Sequence, residues 1–127
     1  MKRCFRLRTR REFEEVYRRG RSWANQAAVV YSVRLGEGAA RLGVAAGRKL
    51  GSAVVRNRVK RRLREAARRL WPEVRPGYVL VLIGRAGARD MPFSELCSAV
   101  RELFRRAGVL KGAAAGRGGS RPDERRE

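Results

Sequence analysis

The chain has no histidine, only two cysteines, and twelve acidic residues against thirty-two lysines and arginines among its 127 residues. Each scarcity excludes a class of function. Without histidine, the Ser-His and Cys-His pairs that activate a protein nucleophile cannot form, and no Cys/His zinc site can be completed. Cys4 and Cys97 lie far apart without CxxC spacing and read as reduced thiols. Carboxylates for acid–base work are scarce too. Glu12, Glu14 and Glu15 fall together, but one serves a helix cap and the others face solvent, while Asp90 and Asp123 stand alone. No P-loop or complete GxGxxG pattern occurs. The sequence therefore assigns no catalytic residue and no metal site to the protein itself. Long hydrophobic runs are also missing. The longest, "YVLVLIG" at residues 78–84, has strand length and is far short of the ~20 residues that span a bilayer. The start, "MKRCFRLRTRREFEE", is basic but has no apolar segment of the secretory type, so a cytoplasmic protein without membrane contact is expected.

What is abundant is positive charge. A net charge of +20 that hardly changes across physiological pH requires an anionic partner or salt to offset self-repulsion, and nucleic acid is the obvious partner. The length suits one domain. Thr9 and Glu12 have capping-box spacing and predict a helix over residues 10–19, with Phe13, Val16 and Tyr17 on one face and Gly20 as a left-handed terminator. Residues 27–35, "AAVVYSVRL", read as a strand that places Val29, Tyr31 and Val33 on one face. The glycine-rich turn after it predicts an antiparallel hairpin with "RLGVAA", residues 41–46. "GRKLGSAVV" reads as a loop or short strand leading to a cap at Ser52. A helix over residues 53–70 follows, with Val55, Val59, Leu63, Ala66, Ala67 and Leu70 in one apolar stripe and Pro72 beyond its end. Residues 78–84, apolar on both faces, predict a central strand. "RAGARD" reads as a loop, and residues 92–107 as a second amphipathic helix closed by Gly108. The order α-β-β-(β)-α-β-α describes an α+β sandwich with helices packed on one small sheet. Residues 1–110 form this domain, and residues 111–127, rich in glycine and charge, read as a disordered basic tail.

"RNRVKRRLRE", residues 56–65, is the densest basic stretch, and eight of the fourteen residues from Arg56 to Arg69 are Lys or Arg. Like charges three and four apart destabilise an isolated helix, so the pattern calls for a compensating use. A solvated face would mix signs, a localisation tag would not share a helix with core positions, and a helix-turn-helix reader would need a short helix where glycines and strand character stand instead. On the helical wheel Asn57, Lys60, Arg61, Arg64 and Arg68 form one flank of the apolar stripe, and Arg58, Arg62 and Arg69 lie toward the other. Each phosphate neutralised there would release counterions. Phe13, Tyr17 and Tyr31 line a groove for unpaired bases if the first helix packs on the strand, although the same three rings would serve equally as core.

"GRKLGSAVVRNRVKRRLRE", residues 47–65, resembles the signature of the protein subunit of bacterial ribonuclease P, a basic pair and a glycine followed by Arg-Asn-Arg on a basic helix. The resemblance runs from "LRTRREFEEVYRRGRSWAN" to Leu103 and Phe104, with Gly47 standing where the family commonly has serine. It implies an α-β-β-β-α-β-α fold, shared with a ribosomal-protein domain, with a left-handed crossover. It also implies an accessory subunit of an RNA-catalysed endoribonuclease. The partners would be the catalytic RNA and precursor tRNA, with no obligate protein partner. The product would be the mature 5′ end of tRNA, and Mg2+ would be held mainly by RNA and substrate. By position, Arg56, Asn57, Arg58, Lys60, Arg61, Arg64 and Arg68 would face the catalytic RNA, and Phe13, Tyr17, Tyr31, Arg48, Lys49 and Arg85 would form the cleft for the single-stranded leader. A ribosome-associated RNA-binding protein and an intrinsically active nuclease are the competing readings.

Overall fold

The computed structural model describes residues 6–36, 38–112 and 119. The disorder read for most of the tail and the reading of Cys4 lie outside them. Helix α1 (Arg10–Arg19) is followed by strands β1 (Arg21–Ala24), β2 (Ala28–Arg34) and β3 (Arg41–Ala46), helix α2 (Ala53–Leu70), strand β4 (Tyr78–Gly84), the short helix α3 (Ala86–Asp90) and helix α4 (Phe93–Ala107). Both long basic-sequence helices begin where their caps predict. The Thr9 hydroxyl accepts from the Glu12 N–H while Glu12 reaches back to the Thr9 N–H, and the Ser52 hydroxyl accepts from the Val55 N–H. Gly108, at φ 72°, ends α4 in the left-handed conformation.

The sheet order is β1-β2-β4-β3, with β3 and β4 parallel and the other pairs antiparallel. The expected β2–β3 hairpin does not form. The two strands run in opposite senses, but β4 lies between them and takes hydrogen bonds from both. The connection after β2 therefore crosses the start of β4. There the Leu35 N–H donates to the Gly77 carbonyl and the Gly77 N–H to the Gly38 carbonyl, and Gly77, at φ 85°, presses its α-carbon against Gly36, where no side chain fits. The sheet also gains a strand at its edge, β1, from "RSWA", to which the sequence assigned no element. Two smaller expectations change. "RAGARD", read as a loop, contains helix α3. Gly20 is extended, not left-handed; it is required because a Cβ there would stand 2.7 Å from the Val16 carbonyl oxygen.

The sheet separates two apolar layers. On one side Val30, Leu42, Val44, Leu80 and Leu82 meet Val59 and Leu63 of α2 and Leu96, Val100, Leu103 and Phe104 of α4. On the other, Val79 and Val81 meet Leu7 and Val16, with Phe13, Tyr17 and Tyr31 packed around them. β4 supplies both layers through strict alternation, which is why its sequence is apolar throughout.

Candidate nucleic-acid interface

The first part of the interface is a cleft between α1 and the sheet. Spacing of three and four on α1 puts Phe13, Val16 and Tyr17 on the sheet-facing side; Val16 is buried and the two rings remain half-exposed. The Phe13 and Tyr17 ring centroids are 6.4 Å apart, and Tyr17 meets Tyr31 of β2 edge-on at 5.0 Å. Gly43 makes room for this row, since a Cβ there would stand 2.7 Å from the Phe13 ring. Burial, and then the neighbouring Tyr31, pushes the Tyr17 phenol above its ordinary pKa, so it stays protonated. The half-exposed Val29, Ile83 and Ala45 continue the floor one register step further along, in line across β2, β4 and β3.

That floor ends at Ala28, Gly84 and Ala46, and the basic residues expected at its rim follow directly from those strand ends. Arg48 and Lys49 are exposed on a 3-10 turn, and Arg85 is exposed with Nη1 donating to the Asn25 carbonyl at 3.0 Å. The turn is braced from behind by Arg89, whose Nη1 donates to the Leu50 carbonyl at 3.0 Å while the same side chain pairs with Asp90. Around Gly47 a Cβ would meet nothing within 4 Å, so the space for a serine exists although the hydroxyl does not.

The second part is α2. Val59, Leu63, Ala66, Ala67 and Leu70 are buried as the stripe predicts, and Val55 is half-buried. The two basic flanks then serve different ends. On the α4 side Arg62 donates to the Met91 carbonyl, and the Arg69 guanidinium sits over the Phe93 ring, 4.9 Å from its centroid. On the β3 side Lys60 is half-exposed beside exposed Asn57 and Arg61. Arg58, Lys60 and Arg61 form no ion pair among the described residues, whereas Arg68 is held by Glu65 through two hydrogen bonds of 2.9 and 2.5 Å. Arg56 keeps a buried Nε without a hydrogen-bond partner.

Sequence reasoning missed Arg6. The N-terminal segment pairs with β3 at Leu42, and the Leu7 N–H donates to the Leu42 carbonyl at 2.9 Å. This brings Arg6 to Arg61, Arg64 and Arg68 around a groove of about 360 Å3, whose one acidic lining residue, Glu65, is bonded to Arg68. Burial, and then the charge of Arg6, depresses the Arg64 pKa. Arg64 nevertheless keeps its proton, so two partly desolvated cations face each other, with the Arg6 Nε buried and unpartnered among the described residues. An anion would relieve both conditions. Only the tertiary pairing with β3 reveals this, because Arg6 is more than fifty residues from Arg61 and Arg64 in sequence.

Among the described residues no cluster of three His, Cys, Asp or Glu side chains could hold a metal ion, and no helix is long and apolar enough to cross a membrane.

Residues 1–108 match the family model described as Ribonuclease P. The chain is 59% identical over 112 residues to the ribonuclease P protein component of Symbiobacterium thermophilum, covering 87% of this chain and 97% of that protein. It is 40% identical over 116 residues to the corresponding component of Roseiflexus castenholzii, covering 91% and 95%. Among solved structures, the RNase P protein from Thermotoga maritima superimposes with a TM-score of 0.71 at 32% identity, covering 80% of this chain and 96% of that one. A Staphylococcus aureus RNase P protein mutant with defective mRNA degradation activity gives a TM-score of 0.76 at 29% identity, covering 84% and 91%.

Proposed function

The chain belongs to the bacterial ribonuclease P protein family, and from that premise we propose how it serves a tRNA-processing ribonucleoprotein. Helix α2 binds the catalytic RNA. Arg58, Lys60 and Arg61 supply uncommitted charge, Arg56 and Arg64 supply partly desolvated guanidiniums for phosphate oxygens, and Arg68 exchanges its bonds to Glu65 for phosphate as the RNA docks. Exposed Asn57 lies on the same face. Arg6 joins the phosphate contacts from the β3 edge. The cleft of Phe13, Tyr17 and Tyr31 holds the unpaired 5′ leader of precursor tRNA by stacking, with Arg48, Lys49 and Arg85 on its backbone.

The observation that carries this reading is the division of α2, with Val59 and Leu63 buried and Arg58, Lys60 and Arg61 unpaired outside. Such like charge, uncompensated among the described residues, suits a polyanion. Leader cleavage is assigned to the RNA, and Mg2+ to RNA and substrate, because the cleft presents aromatic rings and cations rather than the hard oxygen ligands magnesium prefers. The protein contributes by lowering repulsion between RNAs and by gripping the leader in the cytoplasm. Adding it to a bacterial ribonuclease P RNA and precursor tRNA at low Mg2+ should raise the rate of leader removal; an unchanged rate would sink the proposal.

A further inference from the structure

The flank of α2 that faces α4 carries a second groove. Arg58, Arg61, Arg62, Glu65 and Phe93, the first residue of α4, enclose an open space of about 380 Å3 with mainly apolar walls. The Phe93 ring is half-buried against the core and is held by the Arg69 guanidinium, which is not part of the groove lining. Arg62 is fixed by its bond to the Met91 carbonyl, yet its Nε is buried without a partner. Arg58 and Arg61 are exposed and unpaired among the described residues. The single acid, Glu65, is already bonded twice to Arg68 and lies 3.7 Å from Arg69. The groove thus combines a fixed aromatic wall with net positive charge.

We infer that this groove receives one unpaired nucleotide of the catalytic RNA, its base stacked on Phe93 and its phosphate on Arg58 and Arg61. The inference rests on the proposed RNA-binding role of α2 and adds a base-binding site to a surface otherwise assigned to phosphates. The size is at the low end of small-ligand sites, which suits a single nucleotide. An aromatic ring flanked by guanidiniums matches a flat base with an attached anion. A protein helix fits poorly, because Ser94, Glu95 and Ser98 expose polar side chains on α4 beside Phe93 and leave no extended apolar stripe. Arg61 lines both this groove and the one beside Arg6, so an RNA backbone held at Arg6, Arg64 and Arg61 reaches Phe93 over the outer face of the helix.

The test is filter binding of the full chain to a bacterial ribonuclease P RNA across a salt series, with unfolding temperature measured for each variant. Phe93→Leu keeps apolar bulk but removes the ring; it should weaken binding roughly tenfold while leaving the salt slope unchanged, because stacking releases no counterion. Phe93→Tyr and Phe93→Trp should bind as the parent does. Wild-type affinity in Phe93→Leu, or a flatter slope, overturns the base site in favour of phosphate contact alone. Should the leucine variant unfold early, Phe93→Met, apolar and of similar length but without a ring, decides in its place: a tenfold loss with an unchanged slope in a folded protein supports the site, and parental affinity overturns it. Lys60→Ala separates the base site from the docking of α2 on RNA. If it loses affinity and slope while Phe93→Leu loses neither, only the base site fails. If the parent protein does not bind the RNA, both readings fall.

Discussion

Glu12 joins three tasks in one side chain. Its carboxylate accepts the Arg8 and Thr9 N–H groups at 3.0 Å each and pairs with Arg41 of β3 at 2.5 Å, so the cap of α1 is also tied to the sheet edge. The Arg8 N–H bond first, with Thr9 and Arg41 adding to it against the opposing effect of burial, holds its pKa down to about 2. A depressed carboxylate stabilises the folded chain above its unfolded pKa, and that contribution fades as pH falls from ~4.5 toward 2. Glu12→Gln should therefore lower the unfolding temperature at pH 6, and the gap from the parent should shrink steadily below pH 4.5 in scanning calorimetry; a gap independent of pH would contradict this. The capping half of Glu12 was legible, because Thr9 and Glu12 are local in sequence. The Arg41 half was not, because it depends on how α1 lies across the sheet. The same distinction separates Lys60, legible from the wheel, from Arg6, whose position depends on its pairing with β3.

At the scale of the element, α2 is two devices on one cylinder, and mutation should separate them. Leu63 is fully buried, so Leu63→Ala should cost ~2–5 kcal/mol in urea unfolding, with RNA affinity little changed where the variant remains folded. Lys60→Ala should alter stability by less than about 0.5 kcal/mol yet reduce the slope of log affinity against log salt by roughly one, the share of a single phosphate contact. The reverse pattern would mean that the wheel has been misassigned. Gly43→Ala tests the cleft in the same spirit. Its Cβ would meet the Phe13 ring at 2.7 Å, so it should displace that ring and weaken binding of long-leader substrates while leaving the α2 contacts intact, as measured by unchanged affinity for the catalytic RNA. Helices were the most legible elements because their caps and apolar periods are written within four residues. β1 was missed because it is only four residues long and sits at the sheet edge, where pairing, not hydrophobicity, defines it.

For the whole molecule, charge and layer class followed from composition and periodicity, whereas strand order did not. A strand some thirty residues downstream inserts between β2 and β3, and nothing local to "LGEGAA" distinguishes a hairpin turn from a crossing over β4. That insertion has a functional consequence. It makes β4 the central strand, so Val81 lies beside both Tyr31 and Gly43, and the aromatic cleft can form across three strands. The same arrangement sets β3 at the sheet edge between the cleft and α2, so the proposed leader site and the proposed catalytic-RNA face stand apart on one small basic body. The two-site division is tested most directly by substrate affinity of the reconstituted ribonucleoprotein, measured for precursor tRNA with a long leader and for the same tRNA with none. With the parent protein the long leader should bind more tightly. Tyr17→Ala should remove about 1–3 kcal/mol of that difference and leave leaderless binding unchanged. Equal losses on both RNAs would contradict a leader cleft at Tyr17.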